Sequence, residues 1–200
     1  MKKLLVVYSS LNGLDGNSSK LARQFVNQFN HNLDCEIETL NLIDENLPHL
    51  TSEEMQAWMV EPEQRTEHQA ALAAVSDAYI EQVKKADVIV IASPMYNFGI
   101  PSILKAWFDR VARAGVTFRY TENGPVGLLG DKKVYVASAR GGIYQGTEND
   151  VQTPYLSKFL GFIGIDDVEF IYAEGLNMGE EAAKSGWDES SKKIIELIEK

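Results

Sequence analysis

Two stretches of this chain, Leu4-Leu5-Val6-Val7 and Val88-Ile89-Val90-Ile91, are apolar at every position. A strand with one wet face alternates apolar and polar residues, so an unbroken run marks a strand covered on both sides. The segments between such strands must then supply the cover. From Ser18 the apolar period lengthens, with Leu21, Phe25 and Phe29 on one helical face, and Leu72, Val75, Tyr79 and Val83 repeat it. Leu104, Trp107, Phe108 and Val111 mark another helix, entered near Pro101, where a missing N–H has no intrahelical partner to lose. Residues 35–42, 134–137 and 168–172 read as further strands, with helices over 155–163 and around 194–198. Residues 44–66 look polar and irregular. Strand and helix alternate about five times with no run of hairpins and no internal repeat. This rhythm predicts an α/β fold, a parallel sheet with helices on both faces.

Composition narrows the function classes. Two hundred residues suit a single domain over 1–200, and 44% hydrophobic with 24% charged residues is the balance of a folded globular chain. No apolar run approaches the roughly 20 residues of a membrane helix. The basic-then-apolar start, Lys2 to Tyr8, stops too soon for a secretory signal. One cysteine, Cys35, cannot form an internal disulfide, so a cytoplasmic protein is expected. With 19 basic and 29 acidic residues, the net charge of −10 opposes general binding to nucleic acid or anionic membrane. His31, His49 and His68 show no metal-ligand spacing, Cys35 has no base beside it, and no serine sits in a Gly-x-Ser-x-Gly elbow. No metal and no catalytic side chain is assigned. A cofactor is expected to carry the chemistry.

Ligands of open parallel sheets bind beyond the carboxyl ends of the strands, where strand order reverses. The loops after the first, third and fourth strands are therefore the candidates. The first, Ser9 to Ser19, is rich in small and hydroxyl residues and opens a helix, which suits a phosphate held by backbone N–H groups. An ordinary serine or asparagine cap would look the same. The loop matches neither a Walker sequence nor the dinucleotide glycine pattern. It also lacks the paired acidic residues that a phospho-accepting receiver would carry after Tyr8. The third loop, Pro94 to Pro101, places Met95, Tyr96, Asn97 and Phe98 where a planar ligand would lie, or where aromatics simply fill the sheet–helix junction. The fourth, Ala139-Arg140-Gly141-Gly142, has adjacent glycines that permit close backbone approach or only a tight turn.

Longer runs carry a resemblance. Residues 94–98, 114–125, 140–142 and 153–164 are similar to the FMN-dependent NADH:azoreductases, flavodoxin-like NAD(P)H:quinone oxidoreductases, and the similarity spans nearly the whole chain. The resemblance implies a five-stranded parallel sheet in the order 2-1-3-4-5 and FMN as cofactor. It implies that the phosphate meets Ser10, Gly16, Asn17 and Ser18. The flavin ring would lie between Met95, Tyr96, Asn97 and Phe98 on one side and Ala139, Arg140, Gly141 and Gly142 on the other. Phe118, Tyr120 and Phe162 would line the substrate space. It further implies a homodimer with the site at the subunit interface, so that some aromatics serve the partner's flavin. Ala139 stands where some relatives carry a hydroxyl residue, which leaves only backbone contacts there.

The activity so implied is ping-pong hydride transfer from NADH through FMN to quinones and azo compounds, the azo bond ending as two amines. A flavodoxin-like one-electron carrier is the alternative, and a cofactor-free binding module a third class. Since FMN and NADH are anions, Lys105, Arg110, Arg113 and Arg119 against Asp109 alone are expected to offset the acidic total locally. Residues 44–66, with Trp58 and Met59, are expected to cover the site or touch a second subunit.

Overall fold

A computed structural model describes residues 1–199 of the chain. Five strands form one parallel sheet: β1 (Lys3–Tyr8), β2 (Glu36–Asn41), β3 (Val88–Pro94), β6 (Lys133–Ala139) and β7 (Asp167–Ala173). Their order is β2-β1-β3-β6-β7, which is the expected 2-1-3-4-5 arrangement once a small hairpin is set aside. That hairpin, β4 (Phe118–Thr121) with β5 (Gly124–Gly127), is antiparallel and was not among the expected strands. The helices are α1 (Asn17–Leu33), α2 (Ser52–Trp58), α3 (Glu67–Lys85), α4 (Ser102–Val111), α5 (Gln152–Phe162) and α6 (Glu180–Ile198). None is long and apolar enough to cross a membrane among the described residues.

The unbroken apolar runs have the predicted cause. Successive side chains of a strand leave opposite faces of the sheet. Leu5, Val7, Ile89, Ile91, Val134 and Val136 enter one core with Leu104, Phe108 and Leu160. Leu4, Val6, Val88, Val90 and Ala137 enter the other with Leu21, Phe25 and Ile194. The edge strand β2 differs, with only Leu40 buried along its length. In α3 the buried face is Ala73, Ser76, Tyr79, Ile80 and Val83, while Val75 is exposed, so the expected face is turned.

Residues 44–66 are less irregular than they look in sequence. Thr51 caps α2, its hydroxyl accepting from the Glu54 N–H while the Glu54 carboxylate accepts from the Thr51 N–H. Thr66 and Gln69 repeat the arrangement at α3. Both follow the S/T-x-x-E/Q signal, which is present in the sequence and predicts these helix starts. Glu54 is buried and forms a two-pronged pair with Arg110 of α4, at 2.9 Å on both Nε and Nη2. Arg110 Nη1 also donates to the carbonyls of Pro48 and Ala106.

Candidate functional site

The chain leaves β1 to one side for β2 and crosses to the other side for β3, so the order reverses between β1 and β3. A cavity of about 280 Å³ opens there at the carboxyl ends of the strands. Its wall includes Ser10, Asn12, Gly16 and Asn17 from the loop after β1, and Pro94, Met95 and Tyr96 from β3 and the loop after it. Ala139, Arg140 and Gly141 follow from β6 and its loop, with Leu176 and Asn177 from a loop after β7. The site is therefore built by four loops. The fourth escaped sequence reading because 174–179 has no motif beyond its glycines. Larger openings of about 450 and 730 Å³ lie at the amino-terminal end of the sheet, among the first residues of β1, β3 and β6 and paired lysines and acids. Position at the switch point and convergence of loops favour the smaller cavity.

Each loop has a local physical reason for its shape. The first hydrogen bond at the head of α1 runs from Lys20 N–H to Gly16 O. Asn17, Ser18 and Ser19 are left with N–H groups outside the helical ladder. Gly16 caps the helix with no side-chain bond, so nothing of its own competes for those donors. A Cβ on Gly16 would collide with Ser10, whose own Cβ lies 2.6 Å from that point. Ser18 is fully buried, and its Oγ has no hydrogen-bond partner among the described residues. A buried hydroxyl left unpaired costs about 1–3 kcal/mol. An anion at the helix start would use it, along with the dipole. The ordinary-cap reading fails here because no serine or asparagine side chain caps α1.

In the third loop, Tyr96 and Gly99 exchange both backbone hydrogen bonds at 3.0 Å, closing a four-residue turn. Its central residues Asn97 and Phe98 have φ of 50° and 67°, as the mirror-image hairpin turn requires. Asparagine tolerates that region, but phenylalanine is strained there, and such strain concentrates at ligand sites. Phe98 is about half exposed and meets Tyr144 edge to face at 5.6 Å. The Tyr96 hydroxyl accepts from Leu11 N–H at 3.2 Å and lies 3.5 Å from Ser10 Oγ, drawing the first and third loops together. Asn97 and Phe98 lie beyond the cavity wall, on the solvent side of their loop.

In the loop after β6, the carbonyls of Arg140, Gly141 and Gly142 accept from Leu176, Asn177 and Gly175 N–H respectively. A trans peptide sets each following N–H opposite its carbonyl, so those of Gly141, Gly142 and Ile143 turn away from that segment. Gly141 and Gly142 are not at positive φ. They are needed for space: a Cβ would come within 2.6 Å of Asn177 Nδ2 or 2.8 Å of the Tyr144 hydroxyl. The Arg140 side chain does not face the cavity. It is fully buried, donating to Asp150, Glu174, Ser138 and Thr153, and stacks over Tyr172. Burial would raise the Asp150 pKa, but the Thr153 N–H and hydroxyl and the Arg140 guanidinium outweigh it and hold the carboxyl below its usual range.

One expectation needs correction. Arg110 is committed to Glu54, Arg113 pairs with Asp77 beneath Trp58, and Lys105 pairs with Asp109; Arg119 is exposed and has no salt-bridge partner among the described residues, but none of the four lines the cavity. Anion binding falls to backbone N–H groups and hydroxyls. Phe118, Tyr120 and Phe162 do cluster, with ring centroids 4.2 and 5.6 Å apart, but away from this cavity. Eleven residues make α5 about 16 Å long. Gln152 at its start bonds to Pro94 beside the cavity, whereas Phe162 sits at its far end, where the Ile163 carbonyl accepts from Leu129 N–H. Gly127, the last residue of the hairpin, touches Gly164 backbone to backbone there, and Gly164 lines the opening at the amino-terminal end of the sheet. No residue of 44–66 lines the cavity of its own protomer.

Sheet order, switch-point cavity and phosphate-ready helix start together define a nucleotide-cofactor protein of flavodoxin type. The comparisons agree. The family described as having a flavodoxin-like fold matches residues 2–198. The chain is 58% identical over 197 residues to an FMN-dependent NADH:quinone oxidoreductase of Alteromonas mediterranea, covering 98% of each. It is 52% identical over 198 residues to the enzyme of the same description from Pseudoalteromonas atlantica, covering 99% of this chain and 98% of that one. Among solved structures, an azoreductase from Bacillus anthracis strain Sterne matches with a TM-score of 0.86 at 31% identity, covering 97% of this chain and 99% of that one. An FMN-dependent NADH-azoreductase from Bacillus anthracis strain Ames Ancestor, in complex with FMN, matches with a TM-score of 0.85 at 27% identity, covering 99% and 100%. The chain belongs to the family of FMN-dependent NADH:quinone oxidoreductases and azoreductases.

Proposed function

We propose that this protein holds FMN in the cavity between β1 and β3 and works as an NADH:quinone oxidoreductase, with azo compounds as further acceptors. The observation that carries the reading is the buried, partnerless Ser18 hydroxyl beside the free N–H groups that open α1. A phosphate satisfies both, and no polar group among the described residues does. The residues present therefore fit the cofactor. Bound FMN supplies two-electron chemistry, accepting hydride from NADH and delivering it to the acceptor.

The chain's own part is binding and orientation. Ser10, Gly16, Asn17 and Ser18 would hold the phosphate, and the strained turn at Asn97–Phe98 with Met95 and Tyr96 would set one side of the ring. Ala139 to Gly142 would set the other, with the outward N–H groups of Gly141 and Gly142 placed to stabilise negative charge. Phe118, Tyr120 and Phe162 would then serve the flavin of a partner subunit in a homodimer. Tyr120 is 73% exposed on a hairpin that also exposes Val126, with exposed Leu128 next in the chain, an apolar face that suits such a contact. Met55 and Met59 of the 44–66 segment add to the exposed apolar surface and suit the same role. NADH as reductant fits a cytoplasmic setting.

Cofactor-free protein titrated with FMN, then supplied with NADH and a quinone, tests the reading. Stoichiometric FMN uptake followed by steady NADH oxidation, with parallel double-reciprocal lines, is expected. Failure to take up FMN overturns it. Uptake without turnover would mark a one-electron carrier instead.

A further inference from the structure

One buried cluster lies behind the site, and its side-chain groups are used by none of the contacts proposed above. Arg140, Asp150 and Glu174 meet at the carboxyl ends of β6 and β7, with side chains 0%, 7% and 11% exposed. One guanidinium faces two carboxylates, a net charge of −1 in a place where unpaired charge is costly. The arrangement is more than an ion pair. A single carboxylate oxygen, Glu174 Oε1, accepts from Arg140 Nη1, Tyr144 N–H and Gln145 N–H, each at 3.0 Å. Glu174 thereby ties both ends of the segment 140–145, whose middle carries the outward N–H groups of Gly141, Gly142 and Ile143. From the other side, α6 presses directly on the Glu174 backbone at Gly186, where a Cβ would lie within 3.1 Å of its N and carbonyl carbon. Through Gln152, which accepts from Arg140 and donates to Pro94 O at 3.0 Å, the same cluster reaches the strand that leads into the Tyr96–Gly99 turn.

We propose that Glu174 is a positioning residue for the flavin: it locks the 140–145 segment so that three consecutive peptide N–H groups present to the ring. This rests on the reading that the cavity holds FMN. A carboxylate buried only for stability would have been served by Arg140 alone. The two backbone N–H groups of Tyr144 and Gln145 add nothing to the sheet or the helices, and what they order is the wall of the cavity. The excess negative charge of the cluster also opposes reduction of a cofactor beside it.

The test uses the full-length protein with Glu174→Gln and Glu174→Ala. Hydrogen exchange of the amides of residues 141–145 is followed first in cofactor-free protein, then FMN affinity by fluorescence quenching and the midpoint potential of the loaded form. Glu174→Ala is expected to speed exchange in that segment and to weaken FMN binding roughly tenfold, the loss of one charged hydrogen-bonding group. Glu174→Gln keeps an acceptor and is expected to restore most of the affinity while moving the potential to a more positive value. If Glu174→Ala does not fold, the glutamine variant alone decides, through its potential and its exchange rates. Unchanged affinity and potential in a folded variant would overturn the proposal, leaving Glu174 a structural residue. Wild-type protein that takes up no FMN would overturn the functional reading instead, and the exchange measurement tells the two failures apart.

Discussion

Arg110 and Arg140 are the largest side chains that the fold buries completely, and they differ in what they hold. Arg110 meets one carboxylate, Glu54, and two backbone carbonyls, so its charge is balanced by one partner. It fastens α2 to α4, and neither it nor Glu54 lines the cavity. Arg140 meets two carboxylates, two hydroxyls and an amide oxygen at the ends of three elements, and all of them converge behind the loop after β6. The first cluster holds together a segment that sequence patterning leaves loose, and the second shapes a surface meant for a ligand.

The largest expected effect falls on the first cluster. Arg110→Met leaves the Glu54 carboxylate buried and unpaired, which should cost about 3–5 kcal/mol of unfolding free energy. The double variant Arg110→Met, Glu54→Leu should recover most of it, and both should bind FMN as the parent does, as urea unfolding and FMN titration would check. On the site side, Gly16→Ala must push Ser10 out of place. An overpacking cost of roughly 2 kcal/mol would appear as an FMN affinity about thirtyfold weaker. Ser18→Ala sharpens the contrast, because the hydroxyl has no partner in the protein itself. Cofactor-free protein should lose no stability on thermal melting, while FMN binding should weaken about tenfold.

The smallest effect concerns acid. Asp150 has its folded pKa below the unfolded value, so its contribution to stability is complete above about pH 4 and is lost as pH falls through the folded pKa. The groups facing it are Arg140, Thr153 and, across the guanidinium, Glu174 and Tyr172. Asp150→Asn should flatten the fall in urea midpoint below about pH 4. A fall as steep as the parent's would place the acid sensitivity elsewhere.

Much of the fold was open to reading from residues alone. Leu4–Val7 and Val88–Ile91 announced central strands because a doubly covered strand has no wet face on which to place a polar side chain. The sheet order followed from the resemblance carried by the 94–98 and 153–164 runs, and the cavity does lie at the first, third and fourth of the expected loops. The helix over 52–58 was missed although Thr51 and Glu54 spell its capping box, since seven residues are too few to show an apolar period. The hairpin at 118–127 was missed for a related reason: its two four-residue strands are mostly exposed, so no burial pattern marks them.

What sequence determined here was which segments are strands, which faces they bury, and which loops collect at one end. Those properties depend on local periodicity and on the handedness of parallel connections, both of which are written along the chain. Tertiary structure alone decided where the charges went. Arg110 and Arg113 read as part of a basic patch until partners up to 62 residues away proved to claim them, and the Arg140 guanidinium proved to be buried behind the loop, which leaves its backbone to the cavity. A side chain's charge is local, but its electrostatic role is set by the groups that fold against it in space.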